Sequence, residues 1–184
     1  MPITPSSELI EGVPGTFLPP HHGLLSWSYE PAHATGTYTL ATAGTVYVVQ
    51  LNVNPRLVTN IVYDVTTAGG TLTASQCFVG LYQNGVLLAA SADQSTAWGS
   101  TGVKVTALSA PVLPQGGPVY AAFVFNGTTG PTLASGATAL GVGNVNLAAT
   151  VSRYGTANTG VTTALPASLG TVAALAQTPF VALS

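Results

Sequence analysis

Between Thr37 and Phe125 the apolar residues fall in short runs rich in Val, Ile, Tyr and Thr, and each run is stopped by Gly, Pro or Asn. That punctuation limits the fold more than any other feature. β-Branched and aromatic residues suit a pleated, half-buried backbone, and runs this short cannot build helices with an apolar stripe. Thr37-Tyr38-Thr39-Leu40 alternates, residues 45–54 lie between Gly44 and Pro55, and residues 57–66 run on to Gly69-Gly70. Residues 76–83 and 86–90 flank Asn84-Gly85, a pair that tolerates positive φ and so signals a tight hairpin. Residues 103–108 form a short alternating strand, residues 111–117 a Pro/Gly-rich turn, residues 119–125 another strand and residues 180–183 the final one. This spacing predicts an all-β fold, an antiparallel β-sandwich or barrel. The run Val172-Ala173-Ala174-Leu175-Ala176, between Gly170 and Pro179, is too short for a helix, and no solenoid or propeller period is present.

Residues 1–25 read as an extended N-terminal arm, and residues 26–184 as one β-sandwich domain. Pro2, Pro5, Pro14, Pro19 and Pro20 favour extended paths, with room for one helical turn over residues 6–12. The arm carries Leu9, Ile10, Phe17 and Leu18, apolar enough to seat on a surface: its own domain, a neighbouring copy or a scaffold. After Gly127 the chain is almost entirely Gly, Ala, Thr, Ser, Leu, Val and Asn. Disorder goes with charge and low hydrophobicity, so this stretch is expected to supply loops and strands that complete the sheets.

Charge is nearly absent. The 184 residues hold three Lys or Arg and five Asp or Glu, 4% of the chain, where an ordinary domain has about 25%. A folded chain of this size exposes roughly 8,000 Å², so uncharged patches the size of a standard interface, about 800 Å² per partner, are unavoidable. The surface is expected to meet protein. Three basic residues exclude a phosphate-binding stripe and a basic membrane surface. No Lys or Arg precedes an apolar run at the start, so no secretory signal is expected, and the Gly- and Pro-interrupted tail predicts no membrane span. Cys77 is the single cysteine and reads as a buried, inert thiol.

Constellations that carry chemistry are sparse. His21-His22 on an extended segment would point to opposite sides, and with His33 they fall short of metal-ligand spacing except across a symmetry axis. Glu30, Asp64 and Asp93 show no spacing suited to paired acid–base work, no Gly-x-Ser-x-Gly elbow occurs, and Gly141-Val142-Gly143 lacks the third glycine of a dinucleotide fingerprint. No cofactor, no metal and no catalytic residue are predicted. Trp98, in a polar loop with Asp93, Gln94 and Ser95, is the best candidate for stacking on a sugar, ahead of Trp27 and Tyr29; each Trp also has the alternative of capping the core.

The elements Asn60-Ile61-Val62-Tyr63-Asp64-Val65, Val79-Gly80-Leu81-Tyr82-Gln83-Asn84-Gly85-Val86-Leu87-Leu88-Ala89, Ser91-Ala92-Asp93-Gln94 and Pro118-Val119-Tyr120-Ala121-Ala122-Phe123-Val124 together resemble the jelly-roll-like β-sandwich modules of tailed-bacteriophage virion proteins. The likeness spans about a third of the chain and carries over no catalytic residue. It implies a non-enzymatic structural protein of the virion, self-associating as a trimer and assembled in the host cytoplasm. As a capsid decoration protein it would hold a major capsid or other virion protein through its arm. The alternative it implies is a tail-fibre or baseplate module that recognises a host-surface glycan.

Overall fold

The computed structural model describes residues 17–136 and 152–184. Leu9, Ile10 and the helical turn expected over residues 6–12 lie outside the described residues. Among the described residues fourteen strands form: β1 Ser26–Trp27, β2 Gly36–Thr39, β3 Tyr47–Val53, β4 Val58–Thr67, β5 Gly70–Leu72, β6 Phe78–Gln83, β7 Val86–Ala90, β8 Gly102–Val112, β9 Gly117–Val124, β10 Gly127–Thr129, β11 Thr132–Ser135, β12 Tyr154–Thr156, β13 Ala173–Ala174 and β14 Val181–Leu183. Helical structure among the described residues is confined to 3-10 turns at Pro19–His22, Pro31–His33 and Ala97–Gly99.

The strands build two facing antiparallel sheets. In the first, β8 takes one edge of β4, while β14 and β11 lie end to end along the other; β1 then pairs with β14 and β2 with β11. The second runs β13-β12-β3-β9-β6-β7, and β5 and β10 form a separate ribbon. Among the eight principal strands, taken in chain order, the first sheet runs first, eighth, third, sixth (β2-β11-β4-β8). The second runs second, seventh, fourth, fifth (β3-β9-β6-β7). Every connection between these strands crosses from one sheet to the other except the β6–β7 hairpin.

That hairpin turns at Asn84 and Gly85, with φ of 50° and 78°. Both central residues lie in the left-handed region, as a tight turn that matches strand twist requires. β4 is long, and its alternation puts Val58, Ile61, Tyr63 and Val65 inside. The bulge between Val58 and Asn60 resets the register against β8, which continues through Pro111 to Val112. The turn expected over residues 111–117 therefore starts later, because a proline is tolerated near the end of an edge strand.

The second sheet is buried on both faces. Tyr47, Val49, Leu51, Val79, Leu81, Ala121 and Phe123 face β4 and its neighbours in the main core. Val46, Val48, Tyr82, Ala122 and Val124 face outward, under a smaller core closed by Leu165. Residues 157–172 supply that cover. Val46 N donates to Asn158 O at 2.9 Å, Tyr82 Oη to Pro166 O at 2.7 Å, and Leu87 N to Ala167 O at 3.0 Å. Leu169 N returns a bond to Gly85 O at 2.7 Å, so residues 167–169 also shield the outer edge of β7. Two-sided burial explains why residues 46–49 and 119–125 read as continuous runs with few polar breaks.

At the N-terminal side, Leu25 N bonds Leu183 O at 2.7 Å, so pairing with the sheet begins there. The histidine pair is not extended: His21 and His22 end a 3-10 turn opened by Pro19 and Pro20. The His22 ring sits 5.6 Å from Trp27 and 6.4 Å from Phe17. Phe17 is exposed and Leu18 half-buried.

Candidate functional site

The loop from Ser91 to Thr101 carries the chain from β7 in one sheet to β8 in the other, across one end of the sandwich. Asp93 anchors it. One carboxylate oxygen accepts Cys77 N at 3.1 Å and the other accepts the Ser95 hydroxyl. Burial of the carboxylate works against its charge, yet the bonds from Ser95 and from backbone amides outweigh it and hold Asp93 below the usual aspartate range. Gln94 N donates to Cys77 O at 2.8 Å, and Gln94 O accepts Trp98 N at 2.9 Å. Together these bonds fasten the loop to the segment before β6.

The Trp98 side chain is the keystone of this end. It is fully buried, which corrects the expectation that it stacks on a sugar: the indole caps the core. Trp98 Nε1 donates to Tyr63 Oη at 2.8 Å. Thr106 Oγ1 donates its single proton to Gln94 Oε1 at 3.1 Å. Tyr63 must therefore be the donor in its 2.8 Å bond to Thr106. The resulting directed chain, Trp98 to Tyr63 to Thr106 to Gln94, satisfies every polar atom it takes through the core. Burial raises the Tyr63 pKa, partly offset by the bonds to Thr106 and Trp98, so its hydroxyl stays protonated and able to donate. The Tyr63 ring meets Phe123 of the facing sheet edge-on at 5.1 Å, which ties the relay into the inter-sheet core.

The structure keeps Trp98, Asp93 and Gln94 in one loop, with the indole buried and the two polar side chains half-buried. The indole is inside, the Asp93 oxygens hold amides and a hydroxyl, and the Gln94 side chain is spent on Thr106 and on Ala92 O at 2.8 Å. Outside them lies an open depression of about 260 Å³ lined by Gly69, Thr71, Leu72, Ser95, Thr96 and Gly99. Gly69 N donates to Trp98 O at 2.9 Å and sets the two walls against each other. Thr71 holds φ at 47°, an unfavourable region for a β-branched residue. The flanking pairs Gly70–Thr129 and Leu72–Gly127 keep it there. Gly69-Gly70 hinted at a turn in the sequence, but nothing there announced that it would face Ser95 and Thr96.

The remaining candidates are structural. Cys77 is buried, with Sγ 3.7 Å from Asn126 O and 3.8 Å from Thr73 O, and burial pushes its thiol pKa up, away from nucleophilic use. Asn126 Nδ2 donates to Gln76 O and Val161 O, both at 3.0 Å, so it lies tied beneath the residue 157–172 cover. Tyr29 donates to Thr178 O at 3.3 Å and packs edge-on against Phe180. Glu30 lies 3.5 Å from His33. Among the described residues no three His, Cys, Asp or Glu side chains gather as metal ligands, and no helix is long and apolar enough to cross a membrane. Neither protein-family models nor curated proteins give a match to this chain.

Proposed function

We propose that this chain is a non-enzymatic structural protein of a bacteriophage virion, a self-associating capsid decoration protein held to the shell through its N-terminal arm. The observation that carries the proposal is the pairing of a nearly chargeless surface with a particular strand order. The order first-eighth-third-sixth against second-seventh-fourth-fifth supports a jelly-roll reading of the sandwich, an architecture recurrent in capsid proteins. The polar groups best placed for chemistry, Asp93 and the Trp98–Gln94 relay, are engaged in holding the β7–β8 loop, which suits a scaffold. A trimer is the assembly the family resemblance implies, and the virion is its location.

The first test is sedimentation of the purified chain at low and high salt. An oligomer that persists in high salt is expected, because screening acts on charges and there are few to screen; dissociation to monomers in high salt, or a monomer throughout, overturns the proposal. Antibodies to the chain should label the capsid surface of intact particles. Label confined to the tail tip would favour a receptor-binding module instead. That second reading has one observation in its favour, the hydroxyl-lined depression around Thr71, Ser95 and Thr96. It predicts that Thr96→Ala removes glycan-array binding while Trp98, beneath, still holds the fold.

A further inference from the structure

The chain holds two Asn-Gly pairs, Asn84-Gly85 and Asn126-Gly127; every other asparagine precedes Val, Ile, Leu, Thr or Pro. A glycine has no side chain to shield its backbone nitrogen from the amide carbon of the asparagine before it. Such pairs are therefore the ones most open to self-modification, whereas bulky successors crowd the nitrogen and proline leaves it no proton to lose. The fold treats the two pairs in opposite ways.

Asn126 is locked. Its Nδ2 donates to Gln76 O and Val161 O, both at 3.0 Å, and its carbonyl accepts Thr73 N at 2.8 Å. Gly127 pairs with Leu72 in the β5–β10 ribbon, where an added Cβ would stand 2.7 Å from Thr71 O. The peptide between these two residues has no room to turn. Asn84, in contrast, is exposed at the tip of the β6–β7 hairpin, and its side chain has no hydrogen-bond partner among the described residues. Gly85 N donates to no backbone carbonyl there, and a Cβ on Gly85 would find nothing nearer than Leu169 O at 4.0 Å. The peptide plane between Asn84 and Gly85 can swing. Two contacts restrain it: the Gln83–Val86 pair at the base of the turn, and the bond from Leu169 N to Gly85 O at 2.7 Å.

We infer that Asn84 is a site of spontaneous deamidation, gated by the residue 157–172 cover that clasps the hairpin tip. Gly85 N loses its proton to solvent base and attacks Asn84 Cγ. The new N–Cγ bond closes a succinimide, the Cγ–Nδ2 bond breaks, and nitrogen leaves as ammonia with a proton from water. Water then opens the ring. Attack at Cγ gives aspartate with the backbone restored, and attack at the α-carbonyl gives isoaspartate, whose backbone runs through the former side chain. Either product places a carboxylate on a surface that has few charges. Isoaspartate also adds a methylene to a two-residue turn, so the Gln83–Val86 pair and the Leu169–Gly85 bond cannot both close. The modification thus loosens the cover from the hairpin it clasps, whatever the chain assembles with.

The full folded chain, kept in mildly alkaline buffer and mapped by peptide mass spectrometry with fragmentation that separates isoaspartate from aspartate, reads the site. Asn84 is expected to convert at least about tenfold faster than Asn126, because opening of the hairpin tip is local while Asn126 is freed only with the ribbon and cover. In denaturing urea the two pairs should convert at similar rates. In the folded chain Leu165→Ala, which frees the cover, should speed Asn84 several-fold. Asn84→Gly, which keeps a turn with positive φ, should abolish the isoaspartate. An Asn84 that stays an amide, equal conversion at Asn126 in the folded chain, or isoaspartate that persists in Asn84→Gly overturns the site. An Asn126 that remains slower in urea shows that sequence and not the fold selects between the pairs, and overturns the structural assignment. A folded Leu165→Ala with the wild-type rate at Asn84 overturns the gate.

Discussion

Asp93 shows how one ionised side chain can organise a loop in a chain with few charges. Its carboxylate gathers Cys77 N and the Ser95 hydroxyl, and it is held below its ordinary value of 3.8. The native state therefore binds its proton less readily than the unfolded chain does. The stability this contributes is fully present above the unfolded value and is lost as pH falls through the native one. Asp93→Asn should flatten the part of the acid limb below about pH 4 in a urea-midpoint titration; an unchanged limb would show that the loop is fastened by Gln94 and Trp98 alone. Trp98→Ala opens a cavity at the end of the core and removes the donor to Tyr63 Oη, so a loss of about 3–5 kcal/mol in denaturant unfolding is expected. Trp98→Phe should recover much of the packing but not the hydrogen bond. At this scale the sequence was only half readable. It placed Trp98 beside Asp93 and Gln94, and it offered both a sugar platform and a core cap. The choice depended on Tyr63, far off in sequence, whose hydroxyl the indole had to find.

Among the elements, the strands around the Asn84-Gly85 hairpin were legible because local chemistry dictates them: turn residues with positive φ and β-branched neighbours. β1, β5, β10, β12 and β13 were not, being strands of two or three residues whose only claim to the sheet is the partner they meet. The cover of residues 157–172 was equally hidden. Its composition is that of a loop, and it acquires order by seating Leu165 over Val46, Val48 and Tyr82. A Cβ at Gly80 would come within 2.5 Å of Leu165 Cδ1, so Gly80 is the socket for that leucine. Leu165→Ala should cost roughly 2–4 kcal/mol and raise amide exchange at Leu87 and Leu169, whose bonds hold the cover to the β6–β7 hairpin; unchanged exchange there would mean that the cover is held by its backbone bonds alone. Gly130 has even less latitude: a Cβ would lie 2.0 Å from Leu40 O and 2.7 Å from the Phe125 ring. Gly130→Ala is expected to displace the turn into β11 and lower the thermal midpoint by several degrees, and a midpoint equal to wild type would refute that close approach.

For the whole molecule, electrostatics contributes little and packing contributes nearly everything. Lys104 is engaged by Ser100 Oγ at 3.0 Å and Thr101 O at 3.2 Å, and Arg153 by Ser28 O at 3.0 Å. These are hydrogen bonds to neutral groups, so the unfolding midpoint of the chain should stay nearly constant as moderate salt is added, a result differential scanning calorimetry can check. A large shift would reveal an ionic contribution that these bonds do not account for. The sheets themselves are held by remote partners. β1 pairs with β14, placing Ser26 beside Leu183 and Trp27 beside Ala182, and β14 in turn lies against Ile61, Val62 and Tyr63 of β4. Bringing such distant segments together closes a loop of some 150 residues, an entropic toll of roughly 4–5 kcal/mol that must be met before the contacts return anything. Folding is accordingly expected on the slow, millisecond-to-second side for its length. If the clasp forms only after the transition state, it retards opening without hastening closure. A chain shut in this way would owe its endurance to the height of a barrier, and its lifetime would be counted in rates of escape.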